Sequence, residues 1–196
     1  MGVSVNIVIS GINKSFGDNH VLNNFSAVIP IGSTVSLMGP SGCGKTTLLN
    51  ILMGFIAQDS GSIEGLPKLK SAVFQEDRLC EGFNTLTNIR IVTGRRLPDE
   101  VIKEHLSRLG LAESMNLPVS QLSGGMKRRA ALARAILADG EIIFLDEPFK
   151  GLDAATKYKT IEYLKENVKK KTLITVTHDE EETKLLGSRI IKMHRS

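Results

Sequence analysis

The chain of 196 residues has no tryptophan, two tyrosines and only two cysteines, Cys43 and Cys80. Two thiols so far apart build no disulfide framework and match no metal-ligand spacing, so both read as free thiols of a reducing compartment. Apolar runs long enough to cross a bilayer are missing too. The longest uncharged stretch, residues 21–44, is interrupted by Asn23, Asn24, Pro30, Ser33, Thr34, Ser36 and Pro40, which excludes a membrane-spanning helix there. No Lys or Arg precedes Lys14 and no compact apolar run ends in a small-residue cleavage site, so no secretory leader is expected. The charge of one sign is small: 25 basic against 21 acidic residues leave +4, which permits attraction to phosphates without requiring it. What is present is an ordinary globular composition, 41% hydrophobic and 23% charged, enough for one domain whose core needs no disulfide or metal.

Val3, Val5, Ile7 and Ile9 alternate as in a half-buried strand, and residues 25–29 and 35–38 read as further strands. The spacing of Leu48, Leu49, Ile51 and Leu52 predicts a helix ending near Gly54, and 72–74 returns to strand. Residues 98–116 have an amphipathic helical pattern, and 124–138 an alanine-rich one with Ser123 placed as N-cap. Strand 142–145, helix 154–170, strand 173–176, helix 179–186 and strand 189–193 then alternate, which predicts an α/β fold with a mainly parallel sheet under helices. The runs Lys127-Arg128-Arg129 and Lys169-Lys170-Lys171 read as solvated helix faces.

Three segments carry chemistry. Gly39-Pro40-Ser41-Gly42-Cys43-Gly44-Lys45-Thr46 follows a strand and opens a helix. Its glycines let successive amides curl around an anion, the helix adds its positive end, Lys45 reaches the outer phosphates, and Thr46 can ligate magnesium. Residues 142–147 are a buried apolar strand ending in Asp146 and Glu147. Side chains alternate along a strand, so the two acids have different tasks: Asp146 is assigned to the metal and Glu147 to the attacking water. Leu122-Ser123-Gly124-Gly125-Met126 opens the alanine-rich helix and presents a hydroxyl and unobstructed amides at its positive end, a second anion site. One nucleotide does not need two such sites from one chain, so the second fits a phosphate bound to another copy.

Together these motifs resemble the ATP-binding subunit of an ABC transporter, over about Gly11 to Met193. Leu152-Asp153, a lone His178 after a strand, and Gln75 at the family's glutamine loop complete the order. The resemblance implies a P-loop NTPase core with an N-terminal antiparallel β portion and a small helical signature subdomain. The whole chain, 1–196, would be one such domain, with 1–74 and 135–196 as the nucleotide-binding core and 75–134 as the helical subdomain. ATP would be bound by Phe16, stacked on adenine, and by Gly39, Pro40, Ser41, Gly42, Cys43, Gly44, Lys45, Thr46 and Thr47. Gln75 would sense Mg²⁺ and the lytic water, joining Thr46 and Asp146 around the metal, and His178 would contact the γ-phosphate. Catalysis would fall to Glu147, His178, Gln75 and Lys45. Leu122, Ser123, Gly124, Gly125 and Met126 would form the signature that meets the opposite subunit's ATP, with Asp153 linking the two sites.

The resemblance further implies two ATP molecules held between two head-to-tail subunits, and separate integral membrane permease subunits driven by closure and reopening. A solute-binding protein is an additional expected partner and nucleic acid is not one; the place of work is the cytoplasmic face of the membrane. The wording of residues 74–79, 123–126 and 146–153 looks most like the nitrate, sulfonate and taurine importers. Docking on the permease would use Arg78, Leu79, Phe83 and Leu86. Cys43, inside the phosphate loop, is expected to let a bulky thiol reagent exclude ATP. Met126 and Arg128 stand where the family often has Gln, Lys150 where Ser is usual, and Phe16 where Tyr is common. A soluble ABC-type ATPase acting on nucleic acid, or a regulatory module, stays open as the alternative. Repair members carry a coiled-coil insertion and translation members two cassettes, neither of which is found in this sequence.

Overall fold

The computed structural model describes residues 6–94 and 96–195. Val3 and Val5 of the first alternating run lie outside them; Ile7 and Ile9 are buried, as alternation demands. β1 (Asn6–Phe16) pairs antiparallel with β2 (Asn19–Pro30) and with β4 (Ser60–Glu64), giving a three-stranded sheet in the order β2-β1-β4. The second sheet is parallel throughout, in the order β5-β6-β7-β3-β8. Its strands are β3 (Thr34–Met38), β5 (Lys70–Val73), β6 (Ile142–Asp146), β7 (Thr172–Val176) and β8 (Arg189–Lys192).

Period-two alternation in the central strands divides the interior into two cores. Ile142 and Phe144 of β6 point into one with Ile174 and Val176 of β7, the first sheet, and helix α1 (Lys45–Met53). Ile143 and Leu145 point into the other, beside Leu173 and the helices α2 (Thr85–Thr93), α3 (Asp99–Arg108), α4 (Gly124–Leu137) and α5 (Ala154–Asn167). Strands apolar on both faces are buried on both faces, which is why β6 and β7 have only buried residues. The last helix is α6 (Glu180–Leu186), capped by the Asp179 carboxylate, which accepts from the Glu181 amide at 2.8 Å.

Three elements differ from the sequence expectation. The helix predicted over 98–116 ends at Arg108, because Gly110 takes φ +68, the left-handed turn that closes a helix. The helix predicted over 154–170 ends at Asn167, so Lys169–Lys171 lies beyond it. β4 went unrecognised: in Ser-Gly-Ser-Ile-Glu only Ile63 is partly buried, and the strand exists because β1 offers it a ladder.

Candidate functional site

β3 and α1 are joined by residues 39–44, and the backbone there explains the glycines. Gly42 and Gly44 have φ of +80 and +92, a region costly for other residues. A Cβ on Gly39 would overlap the Met193 carbonyl oxygen. Gly44 is also the N-cap of α1 and offers no side-chain cap, and the first turn holds no acid, so nothing in the sequence competes with an anion for the helix end. The loop borders a cavity of about 580 Å³ that is also lined by Thr47, Phe16 and Gln75, by Asp146 and Glu147, and by His178. Val21, Asn19 and Val176 complete the wall, and none of these three was singled out from sequence.

Within the cavity Lys45 Nζ donates to the carbonyls of Gly39 at 2.7 Å and Pro40 at 2.9 Å. Thr46 Oγ1 donates to Asp146 Oδ2 at 2.9 Å. Asp146 ends β6 and is buried. Burial lifts its carboxyl above the usual carboxylate range, the Thr46 hydroxyl opposes this, the Glu147 carboxylate adds to it, and the Lys45 cation opposes it. At Glu147 the chain leaves the strand with φ +47, a left-handed conformation that for a glutamate is strained. Its amide still donates to Val176 O at 3.0 Å. Its two carboxylate oxygens face different partners, Oε1 the His178 Nδ1 at 3.5 Å and Oε2 the Lys150 ammonium at 3.1 Å. The Phe16 ring is half exposed on the rim, with Lys14 Nζ 5.4 Å from its centroid.

Cys43 departs from the set. Its side chain is buried behind the loop, in contact distance of where a Gly39 Cβ would be, and lines a different cleft with Leu22 and Met193. A thiol reagent therefore cannot reach it without loosening the loop. The five signature residues also stay apart from this cavity. Ser123 caps α4, its Oγ accepting from the Met126 amide at 3.3 Å, and Ser123 and Gly124 are exposed. Leu122 is buried and Met126 packs on the helical core, so these two hold the turn and leave Ser123 and Gly124 as the free face, with Gly125 partly covered by Leu152. Asp153 caps α5, accepting from the Thr156 amide at 3.0 Å. Of the residues expected to dock a partner, Arg78 and Phe83 are exposed, whereas Leu86 is buried in the helical core and cannot take part. Arg128, read as solvated, is buried as well.

A phosphate loop, an acidic strand end and a separate exposed helix start are thus arranged on one scaffold. A family model described as ABC transporter matches residues 22–150. The chain belongs to the ABC transporter ATP-binding family. It is 36% identical over 193 residues to an aliphatic sulfonates import ATP-binding protein of Paracoccus denitrificans, covering 96% of this chain and 79% of that one. It is 37% identical over 188 residues to a taurine import ATP-binding protein of Pelagibacter ubique, covering 89% and 71%. The fold matches the dimeric structure of a bacterial ABC transporter cassette with a TM-score of 0.85 and 28% identity, covering 96% of this chain and 94% of that one. As an ABC ATP-binding subunit the chain binds ATP and is an ATPase. Its mainly parallel α/β core, with the antiparallel portion formed by β1, β2 and β4, is the fold expected from the sequence.

Proposed function

We propose that this ABC cassette is the motor of an importer of the sulfonate, taurine and bicarbonate type, working as an ATP-closed pair against separate permease subunits. The observation that carries this reading is the split of the parts suited to a nucleotide: Lys45, Thr46, Asp146, Glu147, Gln75 and His178 meet in one cavity, while Ser123, Gly124 and Gly125 form a helix start elsewhere. In a head-to-tail pair each signature would close over the partner's ATP. Phe16 would cover the adenine, the loop amides and Lys45 would hold the phosphates, and Asp153 would sit where the two sites meet. Relatives with which it shares most of its length are named for import of aliphatic sulfonates and of taurine, which supports the direction of transport. Among the described residues no helix is long and apolar enough to cross a membrane, so contact with the bilayer would go through the permease, on its cytoplasmic face. A solute-binding protein would deliver cargo on the other side. Residues 75–134 would act as the helical subdomain against a core of 1–74 and 135–196, packed on it through the cluster in which Ile89, Leu106 and Leu132 meet Leu145, Ile161 and Leu173.

The donor set fits Mg²⁺. Thr46 Oγ1 and the buried Asp146 carboxylate are hard oxygen donors already held together at 2.9 Å on the cavity floor, with Gln75 on its wall, the chemistry this small cation shares with phosphates and water. Bound there, Mg²⁺ would neutralise charge on the phosphate oxygens. Glu147 would orient water and take its proton as the oxygen bonds to the γ-phosphorus and the bond to the ADP oxygen breaks. Lys45 would exchange its two carbonyl partners for phosphate oxygens, and His178 would steady the γ-phosphate. The test is to purify the tagged chain from gently solubilised membranes of its host. A stoichiometric polytopic membrane protein, lost with Phe83→Asp while ATPase activity persists, is the expected result. Recovery of only soluble protein or nucleic acid would overturn the transport reading.

A further inference from the structure

The start of the glutamine segment is held by two arginines of the helix that opens with the signature. Arg128 of α4 is buried at 6% exposure. Its Nη1 donates to Phe74 O at 2.7 Å and its Nη2 to Gln75 O at 2.6 Å. The same Nη1 lies 3.1 Å from the Asp77 carboxylate. Six residues on, Arg134 donates to Arg78 O at 2.8 Å and to Asp77 O at 3.2 Å. β5 ends at Val73, so the carbonyls that follow have left the parallel ladder, and a buried carbonyl needs a partner. The segment also has an unfavourable backbone at Arg78, φ +46, held by one of these bonds.

We propose that Arg128 is a positioning residue for Gln75: its guanidinium fork fixes the backbone from which the Gln75 side chain reaches the nucleotide cavity, and ties that backbone to the signature helix. A planar guanidinium reaches two carbonyls along diverging directions and still sets a full charge against Asp77. Glutamine, frequent here in the family, has no charge to offer that carboxylate, and lysine carries all its donors on one nitrogen and lacks the spread fork that meets both carbonyls and Asp77 at once. Because Arg128 lies in the second turn of α4, displacement of Ser123–Gly125 by a partner's nucleotide carries Gln75 with it.

This inference rests on the reading of Gln75 as a residue of the hydrolytic site, and the experiment separates the two. ATP turnover, ATP affinity and thermal stability are measured on Arg128→Gln, Arg128→Lys, Gln75→Ala and the double variant Arg128→Gln/Gln75→Ala. Misplacement of a reacting group by about 1 Å costs up to roughly 100-fold, so Arg128→Gln is expected to lower kcat at least about tenfold with ATP affinity within about twofold. The double variant is expected to turn over no more slowly than Gln75→Ala alone, and Arg128→Lys not to rescue. Losses that multiply in the double variant, or a fall in ATP affinity matching the fall in kcat, would overturn the proposal. If Arg128→Gln does not fold, Arg128→Lys, which keeps the charge, carries the same comparison. The chain lacks tryptophan, so Phe74→Trp gives a single tryptophan in the segment itself, excited at wavelengths the two tyrosines do not absorb. In that background Arg128→Gln is expected to increase acrylamide quenching; unchanged quenching would overturn the positioning even if Gln75→Ala proved harmless, a result that by itself sinks only the role given to Gln75.

Discussion

Helices α1 and α4 begin alike, with no acid in the first turn and a small residue at the N-cap, yet their surroundings are opposite. The start of α1 faces a cavity that also holds Lys45, Asp146 and Glu147; the start of α4 is open to solvent and filled only by its own Ser123 hydroxyl. In the proposed pair the same electrostatics at a helix end would serve two purposes, one complete within the chain and one that needs a second chain to bring the charge. Substitutions that separate these purposes test the comparison.

Glu147→Gln should have the largest effect. It keeps shape and hydrogen bonding but removes the acceptor of the water's proton, so kcat is expected to fall about 10²- to 10⁴-fold while ATP is still bound, leaving an ATP-loaded dimer by size-exclusion chromatography. Normal turnover would remove Glu147 from its role. Lys45→Ala should abolish ATP binding by calorimetry, since it removes the cation that the loop sets against the outer phosphates and that is parked on two loop carbonyls until they arrive. Binding within a few fold of the natural chain would contradict the cavity as the nucleotide site.

Gly124→Asp sharpens the contrast from the other side. A Cβ there meets nothing within contact distance, and a carboxylate at a helix start contributes about 0.3–1 kcal/mol, so the fold should be kept or slightly stabilised. Binding of ATP to the single chain should be unchanged and hydrolysis lost, because the new charge repels the partner's phosphate. Ser123→Ala should cost about 1 kcal/mol of stability through the lost cap, roughly 2–4 °C in Tm. The smallest effect is at the thiols: exposed Cys80 should react quickly with a bulky maleimide and buried Cys43 slowly, with ATP slowing Cys43 further. Equal rates would mean that the loop opens far more readily than its packing implies.

The parts legible in the sequence are those where backbone geometry demands a residue type. Gly39, Gly42 and Gly44 could be read because a close approach and two positive φ angles admit little else, and Asp146-Glu147 because a strand buried on both faces announces its end. Arg128 was misread because its neighbours Lys127 and Arg129 suggested a wet face. A signal was there: Arg128 stands three, four and seven residues before Ala131, Leu132 and Ala135, all buried, on one face of the helix. β4 had no such signal, since its side chains are mostly exposed and only its pairing with β1 makes it a strand. Nor could sequence say that Cys43 would face away from the cavity its loop encloses.

The central claim, that each ATP site is shared between two chains, is tested most directly by mixing Lys45→Ala with Gly124→Asp protein and measuring ATP-dependent dimers. Each variant alone has both composite sites broken, whereas a mixed pair keeps one intact phosphate loop opposite one intact signature. The mixture should form a closed dimer that holds a single ATP, which neither variant forms alone. A mixture that behaves as the sum of its separate components would contradict the account.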